Sequence, residues 1–379
     1  MRILQLGRFW DDQHGGIERH AALLSRGLAA SGAEVINLVA AAGRSGSDGP
    51  HDGYRLIQAP SLGKLAGTAM SPVLVLRALA LHRERPFDII HLHLPDPLSH
   101  LLSMLLPAGP KRVLTWHSDI VRQKGMLRLY APWLRQLAGR ADAIVAATQA
   151  HFDSSSQIPD TVPRERLHVI PYGLDYAPLE LTAGTAALAR ELRGRANGRT
   201  MVFALGRHVY YKGFDVLIEA MRQVDGFLVL GGDGPLRPVL EARAKECAVS
   251  DRVWFSGRIP EAELGAYFHA CDVFCLPAVE RSEAFGLVQL EAMACGKPVV
   301  NTWLYNGVNE VSRDGETGLT VPVRDAPALS AALSRLATNT PLRDRLGQAA
   351  RQRALRDYSL DEMTRRHLAL YRELLSTRR

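Results

Sequence analysis

Ser282-Glu283-Ala284-Phe285-Gly286-Leu287-Val288-Gln289-Leu290-Glu291-Ala292-Met293-Ala294-Cys295-Gly296-Lys297-Pro298-Val299-Val300 is the stretch on which the fold of this chain turns. It reads as a short loop, a helix over roughly 285–294, and an apolar strand starting at Val299. Glu283 and Glu291 have seven residues between them, about two helical turns, which predicts that both carboxylates lie on a similar helical face. Ala284, Phe285 and Gly286 lead into Leu287 and Val288, whose backbone N–H groups open the first turn. Such amides lack intrahelical partners and favour an anion such as a diphosphate. The plainer alternative is one acid favoured by the helix dipole and a second that is merely solvated.

Working outward, the same strand–helix alternation fills the chain. Ile3–Leu6, Val35–Ala40, Asp88–Leu92, Arg112–Thr115 and Ala143–Ala147 read as strands in the first half. Met201–Leu205, Phe227–Leu230, Arg252–Phe255, Val273–Leu276 and Val299–Asn301 do so in the second. Helical periodicity fills the gaps, with Ile17, Ala21, Leu24 and Leu28 as one example, and further helices fall over 213–223, 236–247, 261–270 and 327–336. Alternation of this kind implies an α/β fold of two Rossmann-like, doubly wound parallel sheets, with ligands beyond the carboxyl ends of the strands. The two expected domains span 1–172 and 173–358 and face an interdomain cleft. The amphipathic 359–379 segment, with Met363, Leu368, Tyr371 and Leu374 on one side, forms a last helix. Gly43–Gly53, rich in Gly, Ser and Asp, is expected to be a mobile loop.

At 379 residues with 47% hydrophobic and 22% charged residues, the chain is long enough for two cores and is neither disordered nor membrane-spanning. No stretch reaches the ~18 apolar residues of a spanning helix. The N-terminus enters a strand without a signal segment, so a cytoplasmic protein is expected. Cys247, Cys271, Cys275 and Cys295 have no metal-ligand spacing and read as buried reduced thiols. The net charge of +7 lies mostly in residues 1–172, with 19 basic against 14 acidic side chains. Aromatic-interleaved nucleic-acid motifs are absent, so no nucleic-acid partner is expected. Residues 111–140 carry Lys111, Arg112, Arg122, Lys124, Arg128, Arg135 and Arg140 against Asp119 alone. They also hold a stripe of Met126, Leu127, Leu129, Tyr130, Trp133, Leu134 and Leu137, a pattern for peripheral contact with an anionic membrane, or simply for packing on the first sheet.

Charged and glycine-rich groups gather just after the strands. Gly206, Arg207 and Lys212 follow Met201–Leu205, where two cations would stabilise a departing diphosphate. No Asp-x-Asp triplet exists to hold a divalent ion, so no metal and no other cofactor is expected. Gly15 and Gly16 sit in the first strand–helix connection, where missing side chains let backbone approach a ligand. His117 ends the strand Arg112–Thr115. His91 and His93 share one strand face without an evident third metal ligand, and packing or acceptor contact is favoured for them. Gly232 and Gly234, in Gly231–Pro235, and Arg258 and Ile259, in Gly257–Pro260, form two further loops.

These motifs, in order His14–Glu18, Thr115–Asp119, Pro171–Asp175, Gly206–Gly213 and Ser282–Val300, resemble the retaining, metal-independent family 4 glycosyltransferases of the GT-B fold over nearly the whole chain. The resemblance implies that His117 hydrogen-bonds the sugar of a nucleoside-diphosphate-sugar donor, that Arg207 and Lys212 hold its diphosphate, that Glu283 touches the sugar and that Glu291 touches the ribose. It implies that Gly15 and Gly16 approach the donor phosphate, that Gly232 and Gly234 approach the nucleotide, and that backbone at Arg258 and Ile259 reads the base. It also implies an acceptor-binding first domain, on which 359–379 packs back, and a donor-binding second one. Asn301–Val321 is similar to bacterial O-antigen and exopolysaccharide mannosyl- and rhamnosyltransferases, which favours a GDP-linked donor over a UDP-linked one. The implied acceptor is a glycan, lipid-linked at the cytoplasmic face of the inner membrane. Trp303-Leu304-Tyr305-Asn306 departs from the family's small, Gly-rich loop. A nucleotide-sugar 2-epimerase shares the architecture but needs a different acid/base pattern. A non-catalytic sugar-nucleotide binder would be expected to lack Arg207, Lys212 or Glu283.

Overall fold

A computed structural model of the chain describes residues 1–9, 16–65, 68–120 and 124–377. The chain divides into two compact units, Met1–Gly173 with Leu360–Arg379, and Leu174–Ser359.

In the first unit the strands are β1 Arg2–Phe9, β2 Glu34–Ala40, β3 Ser47–His51, β4 Tyr54–Ala59, the short pair β5 Lys64–Leu65 and β6 Thr68–Ala69, β7 Ile89–Leu94, β8 Lys111–Trp116, β9 Ala143–Ala146 and β10 Leu167–Val169. Eight of them form one sheet in the order β10-β9-β8-β7-β1-β2-β4-β3. All pairs are parallel except β3 with β4. Both faces are covered, as a parallel sheet requires. Leu4, Leu6, Ile36, Leu38 and Leu92 pack on one side with Leu74, Leu102 and Leu134. Their strand neighbours Ile3, Val35, Val39, Ile89 and Val113 pack on the other, with Leu24, Leu28, Met363 and Tyr371. The helix Leu360–Ser376 lies against the helix Gly16–Ala30. Gly27 permits that approach, because a Cβ there would overlap the Thr364 hydroxyl.

One expectation fails here. Most of Gly43–Gly53 is not a mobile loop: Ser47–His51 is the antiparallel edge strand β3, joined to β4 by a two-residue turn. Asp52 and Gly53 both take left-handed φ, 44° and 84°, as the mirror-image turn of a tight hairpin demands of both central residues.

The second unit holds β11 Thr200–Leu205, β12 Gly226–Gly231, β13 Val253–Gly257, β14 Val273–Leu276, β15 Val299–Thr302 and β16 Gly318–Val321. They form an all-parallel sheet in the order β13-β12-β11-β14-β15-β16. Helices cover it, and its core includes Val202, Leu217, Leu228, Val273, Val300 and Leu329. The helix expected from residue 285 starts at Leu287 and ends at Ala294. All four cysteines are free thiols. Cys247, Cys271 and Cys275 are buried, but Cys295 is only partly so. Burial pushes the Cys271 and Cys295 thiols up to about 12. No helix among the described residues is long and apolar enough to cross a membrane.

Candidate functional site

In the second sheet the chain order reverses around β11, with β12 on one side and β14 on the other. Loops leaving neighbouring strands at such a point diverge to opposite faces and open a crevice at their carboxyl ends. The β11 loop carries Gly206, Arg207 and Lys212, and the β14 loop carries Glu283. They meet. Gly213 has φ 66°, and a Cβ on it would overlap the Pro277 carbonyl oxygen, so only glycine lets the β11 loop close on the β14 loop. The Val279 N–H donates to the Tyr211 carbonyl at 2.8 Å in the same seam.

This closure sets Lys212 Nζ 2.6 Å from Glu283 Oε2, with side chains 11% and 13% exposed. The two candidates are therefore an ion pair in a largely dehydrated setting. Arg207 is exposed and makes no ion pair among the described residues. Around the candidate anion site the resting chain thus presents one open cation and one that is already neutralised. Glu283 is held from the β15 side as well, because Asn306 Nδ2 donates to its carbonyl at 2.8 Å.

The shared helical face expected for Glu283 and Glu291 does not exist. The Glu283 N–H donates to the Glu280 carbonyl in a turn at 3.1 Å, and Gly286, with φ 71°, separates that turn from the helix. Only Glu291 is helical. It is 4% exposed, and its carboxylate stands close enough to the buried Tyr176 hydroxyl to add to the effect of burial in holding that phenol above its ordinary range. The helix opening itself is as expected: the N–H groups of Leu287 and Val288 donate to no acceptor among the described residues. Ala284 precedes them, half-buried, and Phe285 is buried against Tyr358, ring centroids 6.1 Å apart.

The outer loops join the same edge. Gly232 N–H donates to the Gly257 carbonyl at 2.7 Å, and the His208 N–H to the Asp233 carbonyl at 2.9 Å. Gly232, Gly234 and Gly206 thus lie in one layer of backbone, with Arg258 exposed and Ile259 half-buried beside it. Two residues that sequence reasoning missed organise this edge. Gln289, fully buried, donates to the carbonyls of Phe285 at 2.9 Å and Val308 at 3.1 Å. Asn309 Oδ1 accepts from the N–H groups of Leu304 at 2.9 Å and Tyr305 at 2.8 Å. An amide side chain buried in an apolar helix was the available signal for Gln289.

In the first sheet the order reverses between β1 and β7. Gly16 begins the helix Gly16–Ala30 there, and Gly15 lies outside the described residues. His117 is buried rather than open. Its Nδ1 is 2.7 Å from the Tyr172 hydroxyl and its Nε2 is 3.1 Å from His93 Nδ1. His93 Nε2 reaches Gln5 Oε1 at 2.9 Å. His91 bonds Tyr371 at 2.6 Å and Thr115 at 2.7 Å, so His91 and His93 serve packing. A sugar hydroxyl could reach a His117 nitrogen only by displacing Tyr172 or His93.

The third histidine that the strand pattern lacked is His20, from the first helix. Ligand atoms of His20, His93 and His117 lie within 4.8 Å of one another, and neither His20 nitrogen has a hydrogen-bond partner among the described residues. Burial, followed by repulsion among the imidazoles, holds His20 and His117 well below the usual histidine range, and burial brings His93 down to about 3. The cluster is neutral. Two of its three convergent nitrogens are already spent on the His93–His117 hydrogen bond.

Set against known proteins, residues 14–177 match the family described as Glycosyltransferase Family 4, and residues 188–353 match Glycosyl transferases group 1. The O-antigen chain mannosyltransferase C of Escherichia coli is 28% identical over 381 residues, covering all of both chains. The D-rhamnosyltransferase WbpZ of Pseudomonas aeruginosa is 32% identical over 266 residues, 70% of this chain and 68% of that one. Among solved structures, sucrose-phosphate synthase from Thermosynechococcus elongatus superposes with a TM-score of 0.81 at 24% identity over the full length of both, a likeness of fold.

Proposed function

The chain belongs to the family 4 glycosyltransferases, hexosyltransferases of the GT-B fold, and on that premise we propose that it moves mannose or rhamnose from a GDP-linked donor to a glycan acceptor in cell-surface polysaccharide synthesis. The observation that carries this reading is the Lys212–Glu283 pair at the β11–β14 reversal, with the exposed Arg207 on the same β11 loop as Lys212. As the bond between the anomeric carbon and the phosphate oxygen breaks, negative charge grows on the leaving diphosphate. Arg207, Lys212 and the N–H groups of Leu287 and Val288 offer fixed positive charge for it, which lowers the barrier. Glu283 then turns to a sugar hydroxyl and Glu291 to the ribose. No side chain is a convincing nucleophile, so the acceptor oxygen bonds to the anomeric carbon on the face the diphosphate leaves. Its proton passes to the departing phosphate oxygen, and configuration is retained.

The cations and amides do the work that a divalent ion does elsewhere, so turnover is expected to survive excess EDTA; complete loss restored by Mg²⁺ or Mn²⁺ would count against the mechanism. Thermal-shift titration with GDP, UDP and ADP at one concentration identifies the base, since binding raises stability by RT ln(1 + [L]/Kd). A larger UDP shift would move the assignment to a UDP-linked donor. The names of the relatives support mannosyl or rhamnosyl transfer.

A lipid-linked acceptor reached by peripheral membrane binding completes the reading. Arg122, and the side chains of Lys124, Met126, Leu127, Arg128 and Leu129, lie outside the described residues. Of the rest of that stripe, Leu134 and Leu137 are buried in the first unit's core, whereas Trp133 is exposed, as are Leu101 and Leu105 on the preceding helix. Salt-sensitive co-sedimentation with anionic vesicles tests it. Equal binding when Arg122, Lys124 and Arg128 are changed to Ser would remove the membrane from the account.

A further inference from the structure

The loop after β15 presents two large aromatic rings to solvent. Trp303 is 37% exposed and Tyr305 70%, and the rings stack with centroids 5.8 Å apart at an interplanar angle of 22°. Packing does not explain them, because exposed aromatic surface loses the hydrophobic stabilisation that usually justifies so large a side chain. The backbone beneath them is constrained. Tyr305 has φ 53°, a left-handed conformation that a bulky residue rarely adopts and that persists only where the surroundings impose it. The surroundings are visible. Asn309 Oδ1 takes the N–H groups of Leu304 and Tyr305, Arg281 Nε donates to the Leu304 carbonyl at 3.2 Å, and the Trp303 N–H donates to Val321 at 2.9 Å. The next residue, Asn306, holds the carbonyl of Glu283. A rigid pair of rings is thus built into the same loop that steadies the candidate site.

We propose that Trp303 and Tyr305, although they belong to the second unit and the family resemblance puts the acceptor on the first, form a stacking platform for a pyranose ring of the acceptor glycan, an inference that rests on the glycosyltransferase reading. The face of an aromatic ring carries partial negative charge and attracts the polarised C–H face of a sugar. One face of each ring is spent on the other, and the open Tyr305 face is free for a sugar. Arg281, from the loop after β14, reaches this loop through the Leu304 carbonyl and offers a donor for sugar hydroxyls; its neighbour Glu280 approaches Arg324, from the loop after β16, at 4.0 Å. The donor sugar is the less suitable occupant, since its identity is set by hydroxyl contacts at the half-buried Glu283, whereas an exposed ring suits a chain arriving from solvent. Held in advance, the rings lose little freedom on binding.

Saturation-transfer NMR with methyl α-D-mannopyranoside and methyl β-D-glucopyranoside tests this, with sorbitol as a hydroxyl-rich control that lacks a ring. The wild-type protein is expected to saturate the ring protons of both glycosides and not sorbitol. Changing Trp303 and Tyr305 together to Ser is expected to abolish the signal, while the thermal shift with the preferred nucleotide stays within about 1 °C of wild type. Tyr305→Gly separates function from structure: it relieves the left-handed backbone, so its melting midpoint is expected to hold or rise while the glycoside signal falls at least fivefold. Three results overturn the proposal: a glycoside signal unchanged in the double variant, no glycoside signal in wild type, or a lower midpoint for Tyr305→Gly. Loss of the glycoside signal on adding the nucleotide-sugar would also overturn it, by assigning the rings to the donor. A missing nucleotide shift in wild type refutes the glycosyltransferase reading itself, whatever the glycosides do.

Discussion

Lys212→Ala should damage the protein twice, and the two losses can be measured apart. Lys212 Nζ lies 2.6 Å from Glu283 Oε2, with both side chains close to nine-tenths hidden. Two unit charges about 4 Å apart attract by roughly 4 kcal/mol at an effective dielectric of about 20. Removing the lysine forfeits that attraction and strands a carboxylate that water barely reaches. Loss of one partner from a buried pair costs about 3–5 kcal/mol, and the residual exposure here argues for about 3. For a unit of this size each kcal/mol moves the melting midpoint by about 2–4 °C, so Lys212→Ala should melt roughly 6–12 °C below wild type. Adding Glu283→Gln removes the stranded charge, and the double variant should regain at least half of the loss, a coupling of about 2 kcal/mol. Turnover behaves differently. Either single change should lower kcat by about 10²-fold or more, and the double variant should recover none of it, because it restores neutrality but not the cation that, on the proposed mechanism, meets the leaving group. Calorimetry and steady-state kinetics on the four proteins give the full cycle. A single variant that melts within 1 °C of wild type, or a double variant no more stable than Lys212→Ala, would show that the two groups are not coupled and remove the basis of the site assignment.

Arg207→Ala should leave the melting midpoint almost unchanged, because the exposed guanidinium makes no ion pair among the described residues, yet lower kcat by about 10²-fold; near-normal turnover with intact nucleotide binding would refute the leaving-group role. Glu291→Gln should chiefly raise the donor KM, whereas Glu283→Gln should chiefly depress kcat, and kinetics with the reverse pattern would exchange their roles. Burial holds His93 at about 3 and His367 at about 4, below an unfolded value near 6.5. Their stabilisation is therefore complete above about pH 6.5 and is lost as pH falls toward those values, by at most about 1.4 kcal/mol per pH unit for each group. The midpoint should drop between pH 7 and pH 5, and a flat profile there would contradict the buried neutral cluster. His20→Phe, which removes two nitrogens without a partner among the described residues, should be tolerated and should reduce proton uptake on unfolding at pH 5 by about one.

The strands that were easy to read are those buried on both faces, where a parallel sheet writes itself as short continuous apolar runs: Val273–Leu276 begins and ends in the structure where the sequence places it. The edge hairpin was hidden by composition. Ser47-Asp48-Gly49-Pro50-His51 has no aliphatic or aromatic strand former, and its one local signal was the Asp52-Gly53 turn. The phase of Glu283 was misread for a related reason. A helical count across Gly286 assumes the helix has begun, whereas glycine in a left-handed conformation marks the point where it has not. The groups that meet across long stretches of chain carried no local pattern at all. Lys212 and Glu283 come from different strand loops, and His20, His93 and His117 come from a helix, the strand β7 and the residue just after β8. Their approach depends on strand order, and strand order is not written in any window of sequence.

That order also explains why the site keeps a lysine and a glutamate together rather than a bare lysine. An unpaired ammonium in so dry a place would suffer desolvation in every resting molecule. Glu283 compensates it at the cost of occupying it. On the proposed reaction a donor diphosphate brings its own negative charge, so Lys212 can exchange one anionic partner for another without ever standing alone. Glu283, released, then becomes an acceptor for a sugar hydroxyl at the moment the sugar arrives. A neutral sugar phosphate mimic could not drive the exchange, because it would leave Lys212 without an anionic partner. Nucleoside diphosphates should therefore stabilise the protein well beyond the matching nucleosides. In Glu283→Gln, where no exchange is needed, the advantage of the diphosphate should grow rather than shrink. Thermal shifts of wild type and Glu283→Gln with guanosine and GDP measure it directly, and a GDP shift that falls to the guanosine level in Glu283→Gln would refute the exchange.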